Sequence, residues 1–109
     1  MDENINDWIS KKITSTDVVL FMKGTPDSPQ CGFSSQVVQI LNYLGIEFSS
    51  VNVLENESIR NGIKEYTKWP TIPQLYVKNE FIGGADIVRE MFEENELKEF
   101  LEEKGISTR

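Results

Sequence analysis

The sequence predicts an α/β fold: a small four-stranded mixed sheet with helices on both faces. Three observations carry this. Val18-Val19-Leu20-Phe21-Met22 is a continuous apolar run of β-forming residues, the pattern of a strand covered on both sides. A helical stripe separates it from the next strand pattern, and a β-α-β crossover of that kind requires a parallel pair with a right-handed connection. Further along, Leu75-Tyr76-Val77 and Phe81-Ile82 flank Lys78-Asn79-Glu80, which reads as a hairpin and adds antiparallel strands.

The remaining elements follow from periodicity. Ile5, Trp8, Ile9 and Ile13 fall at helical spacing and predict an amphipathic helix over 4–14. Gly24, Pro26 and Pro29 make the stretch from Lys23 to Gln30 a loop. Phe33, Val37, Ile40, Leu41 and Leu44 mark one face of a second helix, with Gly45 placed to end it. Phe48, Val51 and Val53 suggest a strand. Ile59, Ile63 and Tyr66 form a third helical stripe that must stop before Pro70. Ile87, Val88, Met91 and Phe92, then Leu97, Phe100 and Leu101, mark two closing helices. No repeat, low-complexity stretch or linker divides the 109 residues, so one domain is expected, large enough to bury its own core.

Composition excludes several chemistries. With no histidine there is no Ser-His-Asp triad, no Cys-His pair and no zinc site that needs histidine. With one cysteine there is no internal disulfide and no Cys-x-x-Cys couple, so any thiol chemistry must borrow its second sulfur. The net charge of −7 argues against a nucleic-acid partner, which requires clustered Lys and Arg. Residues 90–109 hold seven acidic and three basic side chains, a solvated face or a docking surface. No apolar run approaches the ~20 residues of a membrane span. The acidic start Met1-Asp2-Glu3-Asn4 is unlike a signal peptide, so the expectation is a cytoplasmic location, or an organelle matrix if a presequence has been removed.

Three places can carry chemistry. Cys31 stands where the loop meets the second helix, and free N–H groups with the positive end of the helix dipole favour thiolate there. A lone cysteine is also often a small buried hydrophobe. Its polar or small flanks, Ser28-Pro29-Gln30 and Gly32, argue for access. Lys23 is the sole cation between residues 13 and 59, and the loop can fold it back toward the sulfur or leave it solvated. The helix behind Cys31 is uncharged from Gly32 to Ile46, with Ser34, Ser35, Gln36, Gln39 and Asn42 on its outer face, a possible contact surface. Trp69-Pro70-Thr71-Ile72-Pro73 is a rigid turn whose backbone at Ile72 would pair with an extended ligand if Ile72-Pro73 were cis. Gly83-Gly84-Ala85-Asp86 opens a helix; its N–H groups can hold a carboxylate, and Asp86 can equally be an N-cap.

Met22-Lys23-Gly24-Thr25-Pro26, Cys31-Gly32-Phe33-Ser34, Trp69-Pro70-Thr71-Ile72-Pro73-Gln74 and Gly83-Gly84-Ala85-Asp86 together resemble the monothiol glutaredoxins of the Cys-Gly-Phe-Ser type. The likeness runs from about residue 15 to 105 in the family's motif order, so residues 1–109 are expected to form a single glutaredoxin domain with a thioredoxin-like fold, its core preceded by an N-terminal helix. The resemblance implies glutathione binding, with Lys23 and Arg60 on the glycine carboxylate. Ile72, before a cis-Pro73, would pair with the tripeptide backbone, and Ala85 and Asp86 would receive the γ-glutamyl end. Many members have cysteine where this chain has Ala85, so a disulfide to a second thiol in the chain is not available.

The resemblance further implies a [2Fe–2S] cluster with Cys31 as metal ligand. Such a cluster commonly takes four thiolates, and two copies of Cys31 with two glutathiones supply four. A cluster-bridged homodimer that exchanges its cluster with iron–sulfur donor and acceptor proteins is the first functional expectation. The alternative is a glutathione-dependent thiol–disulfide oxidoreductase in which Cys31 attacks a glutathionyl mixed disulfide and free glutathione resolves it, Ser34 standing where dithiol relatives have the resolving cysteine. A non-catalytic interaction domain using the acidic C-terminal helix has least support.

Overall fold

The computed structural model describes residues 2–108, with side chains over 4–108, so Met1 of the acidic start lies outside the described residues. The order of elements is α1 (Asp2–Ser15), β1 (Val18–Met22), α2 (Gly32–Tyr43), β2 (Ser49–Asn52), a 3-10 turn (Val53–Glu55), α3 (Glu57–Thr67), β3 (Gln74–Val77), β4 (Glu80–Gly83), α4 (Ala85–Glu93) and α5 (Glu96–Glu103). The sheet runs β2-β1-β3-β4. β1 is parallel to β2, with Val19 opposite Ser49, and antiparallel to β3, with Leu20 opposite Leu75. This is the predicted α/β architecture.

All five residues of β1 are buried, because side chains alternate across a sheet that is covered twice. Val18, Leu20 and Met22 point into a core shared with Val37 and Leu41 of α2, Val88 of α4, and Leu97 and Leu101 of α5. Val19 and Phe21 point the other way, onto Ile9 and Ile13 of α1 and Ile63 of α3. Burying each such side chain contributes roughly 1.5–3 kcal/mol. α1 crosses α3 closely at Gly62, where an added Cβ would collide with Ile5.

Lys78 and Asn79 both have positive φ (50° and 71°), so the hairpin closes on a two-residue turn whose twist suits the strands. The connection is one residue shorter than the sequence suggests, because Glu80 already pairs with Val77. Two other boundaries move. α1 begins earlier than the apolar stripe requires. β2 stops at Asn52, so Val53 is not a strand residue: the Asn52 Oδ1 accepts from the N–H groups of Leu54 (3.0 Å) and Gly24 (2.9 Å), turning the chain into the 3-10 turn. That second bond also ties the loop after β1 to the end of β2.

Candidate functional site

Cys31 is the N-cap of α2, in extended backbone conformation (φ −154°, ψ 134°), so its side chain stands beside the unpaired N–H groups of the first turn. The loop that brings it there is held by several bonds. Gly24 turns with φ 90°, where a Cβ would lie 2.6 Å from both Gln30 N and Ser28 O. The Gln30 N–H donates to Lys23 O at 2.9 Å, closing the loop so that Cys31 follows directly beside Lys23.

The sulfur is partly exposed. Burial pushes the Cys31 thiol up, but the backbone N–H groups of Ser34 and Phe33, the Lys23 cation and the Ser34 hydroxyl together outweigh it, and the thiol titrates below its usual value. Ser34 is not on the outer face of α2 as the helical spacing suggests; it is fully buried. Its Oγ accepts the backbone N–H of Lys23 at 3.1 Å, which turns it toward the end of β1.

The second half of the site is the segment between α3 and β3. Lys68 leaves α3 in the left-handed conformation (φ 59°) and the chain passes through Trp69 and Pro70 to a cis Ile72–Pro73 peptide. Gly84 lets this segment lie flush against the start of α4. A Cβ there would be 3.1 Å from Trp69 Nε1 and 3.3 Å from Pro73 O. Trp69 also meets Phe81 edge-on, with ring centroids 5.7 Å apart.

Between these parts lies a groove of about 460 Å³, lined by Lys23, Cys31 and Phe33, by Lys64 of α3, by residues 69–73, and by Gly84 to Ile87. Two larger depressions, of about 700 and 720 Å³, lie elsewhere and include neither the thiol nor Lys23, so size does not mark the site. Phe33, Trp69 and Ile87 line the groove and remain exposed (59%, 36% and 38%), so Phe33 does not join the buried face of α2 on which the helical spacing puts it.

Six of the seven residues singled out in the sequence, Lys23, Cys31, Ile72, Pro73, Ala85 and Asp86, line this one groove. Arg60 does not. It sits on α3 one turn before Lys64, which takes the lining position, because the later turn lies nearer the Trp69 segment: the Trp69 N–H donates to Lys64 O at 3.1 Å. Lys64 was recoverable as the i+4 neighbour of Arg60 on the same face. Asp86 is not an N-cap, since Gly84 holds that position. Asp86 sits in the first turn, exposed, 3.5 Å from Arg89. The first N–H groups of α4, including those of Ala85 and Asp86, have no partner within the helix.

Gln74, which the sequence shows only as the end of the Trp69–Gln74 motif and with no role, is buried at the start of β3, and its Nε2 donates to Trp69 O (3.0 Å) and Thr71 O (3.1 Å). A glutamine opening an otherwise apolar strand was the available signal. Among the described residues no group of three or more His, Cys, Asp and Glu side chains is placed to hold a metal. Cys31 is the one thiol of the sequence, and a Cβ at Gly32 beside it would meet open space.

The glutaredoxin family profile matches residues 18–82. An uncharacterized monothiol glutaredoxin of Synechocystis is 56% identical over 94 residues, covering 86% of this chain and 88% of that protein. The chloroplastic monothiol glutaredoxin-S14 of Arabidopsis thaliana is 55% identical over 98 residues, covering 90% of this chain but 57% of that longer protein. The solution structure of reduced poplar apo GrxS14 superposes with a TM-score of 0.80 at 56% identity, covering 91% of each chain. No helix among the described residues is long and apolar enough to cross a membrane. The thiol at the helix start, the cis-proline segment beside it and these likenesses agree: the chain belongs to the glutaredoxin family, among its monothiol members.

Proposed function

We propose that the groove binds glutathione and that Cys31, with the glutathione sulfur, holds a [2Fe–2S] cluster between two copies of the chain, for transfer to other proteins. The observation that carries this is the placement of a single thiolate-favouring, partly exposed Cys31 in a groove that Lys23, Lys64 and the start of α4 also line. Lys23 and Lys64 match the glycine carboxylate, with Arg60 one turn away as a longer-range charge. Ile72, beside the cis-proline, offers its backbone to the extended tripeptide. The N–H groups at Ala85 and Asp86 match the γ-glutamyl carboxylate, and the Asp86 carboxylate its ammonium.

The cluster is cargo, and it needs four thiolates. Each chain contributes Cys31 and each bound glutathione contributes one more, so two chains complete the set. The exposed apolar side chains of Phe33, Trp69 and Ile87 and the uncharged start of α2 favour close approach of a second copy. Lys23 offsets negative charge on the assembled thiolates. Half the ligands being small exchangeable molecules, a recipient's cysteines can replace them. A reducing, glutathione-containing compartment, the cytoplasm or an organelle matrix, suits this chemistry.

Anaerobic reconstitution with iron, sulfide and glutathione tests the proposal. Visible cluster absorption and a dimer mass are expected, both lost in Cys31→Ser or without glutathione. A colourless monomer under those conditions contradicts it.

A specific observation favours a second activity in the same groove. Cys31 is partly exposed at the start of α2, in the groove with Lys23, where the helix N–H groups and the cation favour the nucleophilic thiolate. Its thiolate would attack the glutathione sulfur of a mixed disulfide, breaking that S–S bond and releasing the substrate protein's thiolate, which takes a proton. A second glutathione thiolate would then attack the Cys31–glutathione disulfide, freeing Cys31 and leaving glutathione disulfide. Turnover by cluster-free monomer would establish it.

A further inference from the structure

We propose that Gln74 is a positioning residue for the groove: its side-chain amide shapes the Trp69–Thr71 backbone so that Ile72 and Trp69 face the ligand, without touching the ligand itself. This rests on the reading of the groove as a glutathione site. Gln74 is fully buried and is not a lining residue, whereas Trp69, Thr71 and Ile72 are. Its Nε2 has two protons and spends both on main-chain carbonyls of one short segment, Trp69 O at 3.0 Å and Thr71 O at 3.1 Å. The reverse amide orientation would set Oε1 against two carbonyl oxygens, so the two acceptors fix which way the amide faces.

The arrangement is costly, and the cost points to its purpose. Oε1 is buried with no hydrogen-bond partner. An apolar side chain at the first residue of β3 would avoid that orphan, as Leu75, Tyr76 and Val77 do on the rest of the strand. What an apolar residue cannot do is donate to two carbonyls that Pro70 and Pro73 leave without strand or helix partners nearby. The segment is otherwise held by the Ile72 side chain, buried in the core with Ile63 and Tyr76, by the Trp69 N–H donating to Lys64 O at 3.1 Å, and by contacts at its edges. Thr67 Oγ1 accepts the Trp69 N–H at 3.2 Å, Gly84 lies flush against Trp69 and Pro73, and Phe81 meets the indole. Among the described residues Gln74, one residue beyond Pro73, is the side chain that donates to the carbonyls of the segment.

Gln74 is also separate from the thiol. The groups that set the titration of Cys31 are Ser34, Phe33 and Lys23, all from the other half of the site. Its influence should therefore appear in binding and in the order of the segment, while the thiol titration stays where it is.

The test uses Gln74→Met, close in length and without a donor, measured well below its melting temperature. Glutathione binding by calorimetry is expected to weaken roughly tenfold or more. The Ile72 and Trp69 backbone amides should exchange faster with solvent, while the Cys31 titration midpoint stays unchanged. Lowered melting temperature with unchanged affinity and unchanged Ile72 exchange would overturn the proposal, since that is what a merely structural residue does. A wild-type protein that fails to bind glutathione would remove the ligand reading, and amide exchange across 69–73 would still decide the role of Gln74. If Gln74→Met does not fold, the wild type decides. The Gln74 side-chain amide protons are expected to exchange as slowly as the β3 backbone, and exchange as fast as the exposed Gln39 carboxamide would overturn the proposal.

Discussion

The backbone N–H of Lys23 donates to the hydroxyl of Ser34 at 3.1 Å, fastening the end of β1 to the first turn of α2. One bond thereby places three groups: the Lys23 side chain, the N–H groups of α2 and the Cys31 sulfur between them. Ser34 is a buried structural acceptor in this chain. Removing it with Ser34→Ala leaves the Lys23 N–H without a partner and takes a hydroxyl from beside the thiol. Stability should fall by about 1–3 kcal/mol, and the Cys31 titration midpoint should rise. Denaturant unfolding and pH-dependent alkylation check the two effects separately.

Lys23 itself acts on the thiol through charge. Lys23→Gln is expected to raise the alkylation midpoint of Cys31, leaving it still below that of free cysteine because the backbone N–H groups of Phe33 and Ser34 remain. A midpoint that does not move would show that the lysine cation does not reach the sulfur.

The same lowered titration links Cys31 to stability. For a thiol the deprotonated form is charged, and a folded value below the unfolded one means that folding favours thiolate. The contribution is fully present above the unfolded thiol value of about 8.5. It is lost as pH falls through the lower folded value. Unfolding free energy measured against pH should therefore rise more steeply in the wild type than in Cys31→Ser across that window and run parallel outside it.

Much of this architecture is legible in the sequence. The five-residue apolar run of β1 reads as doubly covered because it is, and the hairpin shows itself through Lys78 and Asn79 between apolar segments. Most site residues were legible too, since Cys31, the proline-rich turn and the glycine pair are punctuation that few other structures require. What escaped was decided by partners remote in sequence. Helical spacing put Ser34 outside, but its side chain turns to a donor eleven residues earlier. Asn52 ends β2 through a bond to Gly24, which no local pattern encodes. Arg60 and Lys64 share a helix face, and only the packing of the Trp69 segment selects between them.

That selection is measurable. Lys64 lines the groove and Arg60 does not. Lys64→Gln should weaken glutathione binding by roughly tenfold, the loss of a charge-assisted contact. Arg60→Gln should weaken it by no more than about fivefold, as befits a screened surface charge. Calorimetric titration at two salt concentrations orders them; equal losses would return Arg60 to the site.

Gly84 is where α4 meets the cis-proline segment. A Cβ there would come within 3.1 Å of Trp69 Nε1 and 3.3 Å of the Pro73 carbonyl oxygen. Gly84→Ala should cost about 1–3 kcal/mol of stability by overpacking and shift the Trp69 fluorescence, because the indole must move. An unchanged emission spectrum with unchanged stability would mean that the contact is not maintained in solution.

We propose that one thiolate per chain becomes functional by being shared between chains. The most direct measurement is native mass spectrometry of the protein reconstituted without oxygen in glutathione, with iron and sulfide quantified on the same sample. The expected species is two chains, two glutathiones and one [2Fe–2S] cluster, absent in Cys31→Ser. A cluster carried by a single chain, or a cluster-bound dimer without glutathione, would rule out sharing of the thiolates between two chains and two glutathiones.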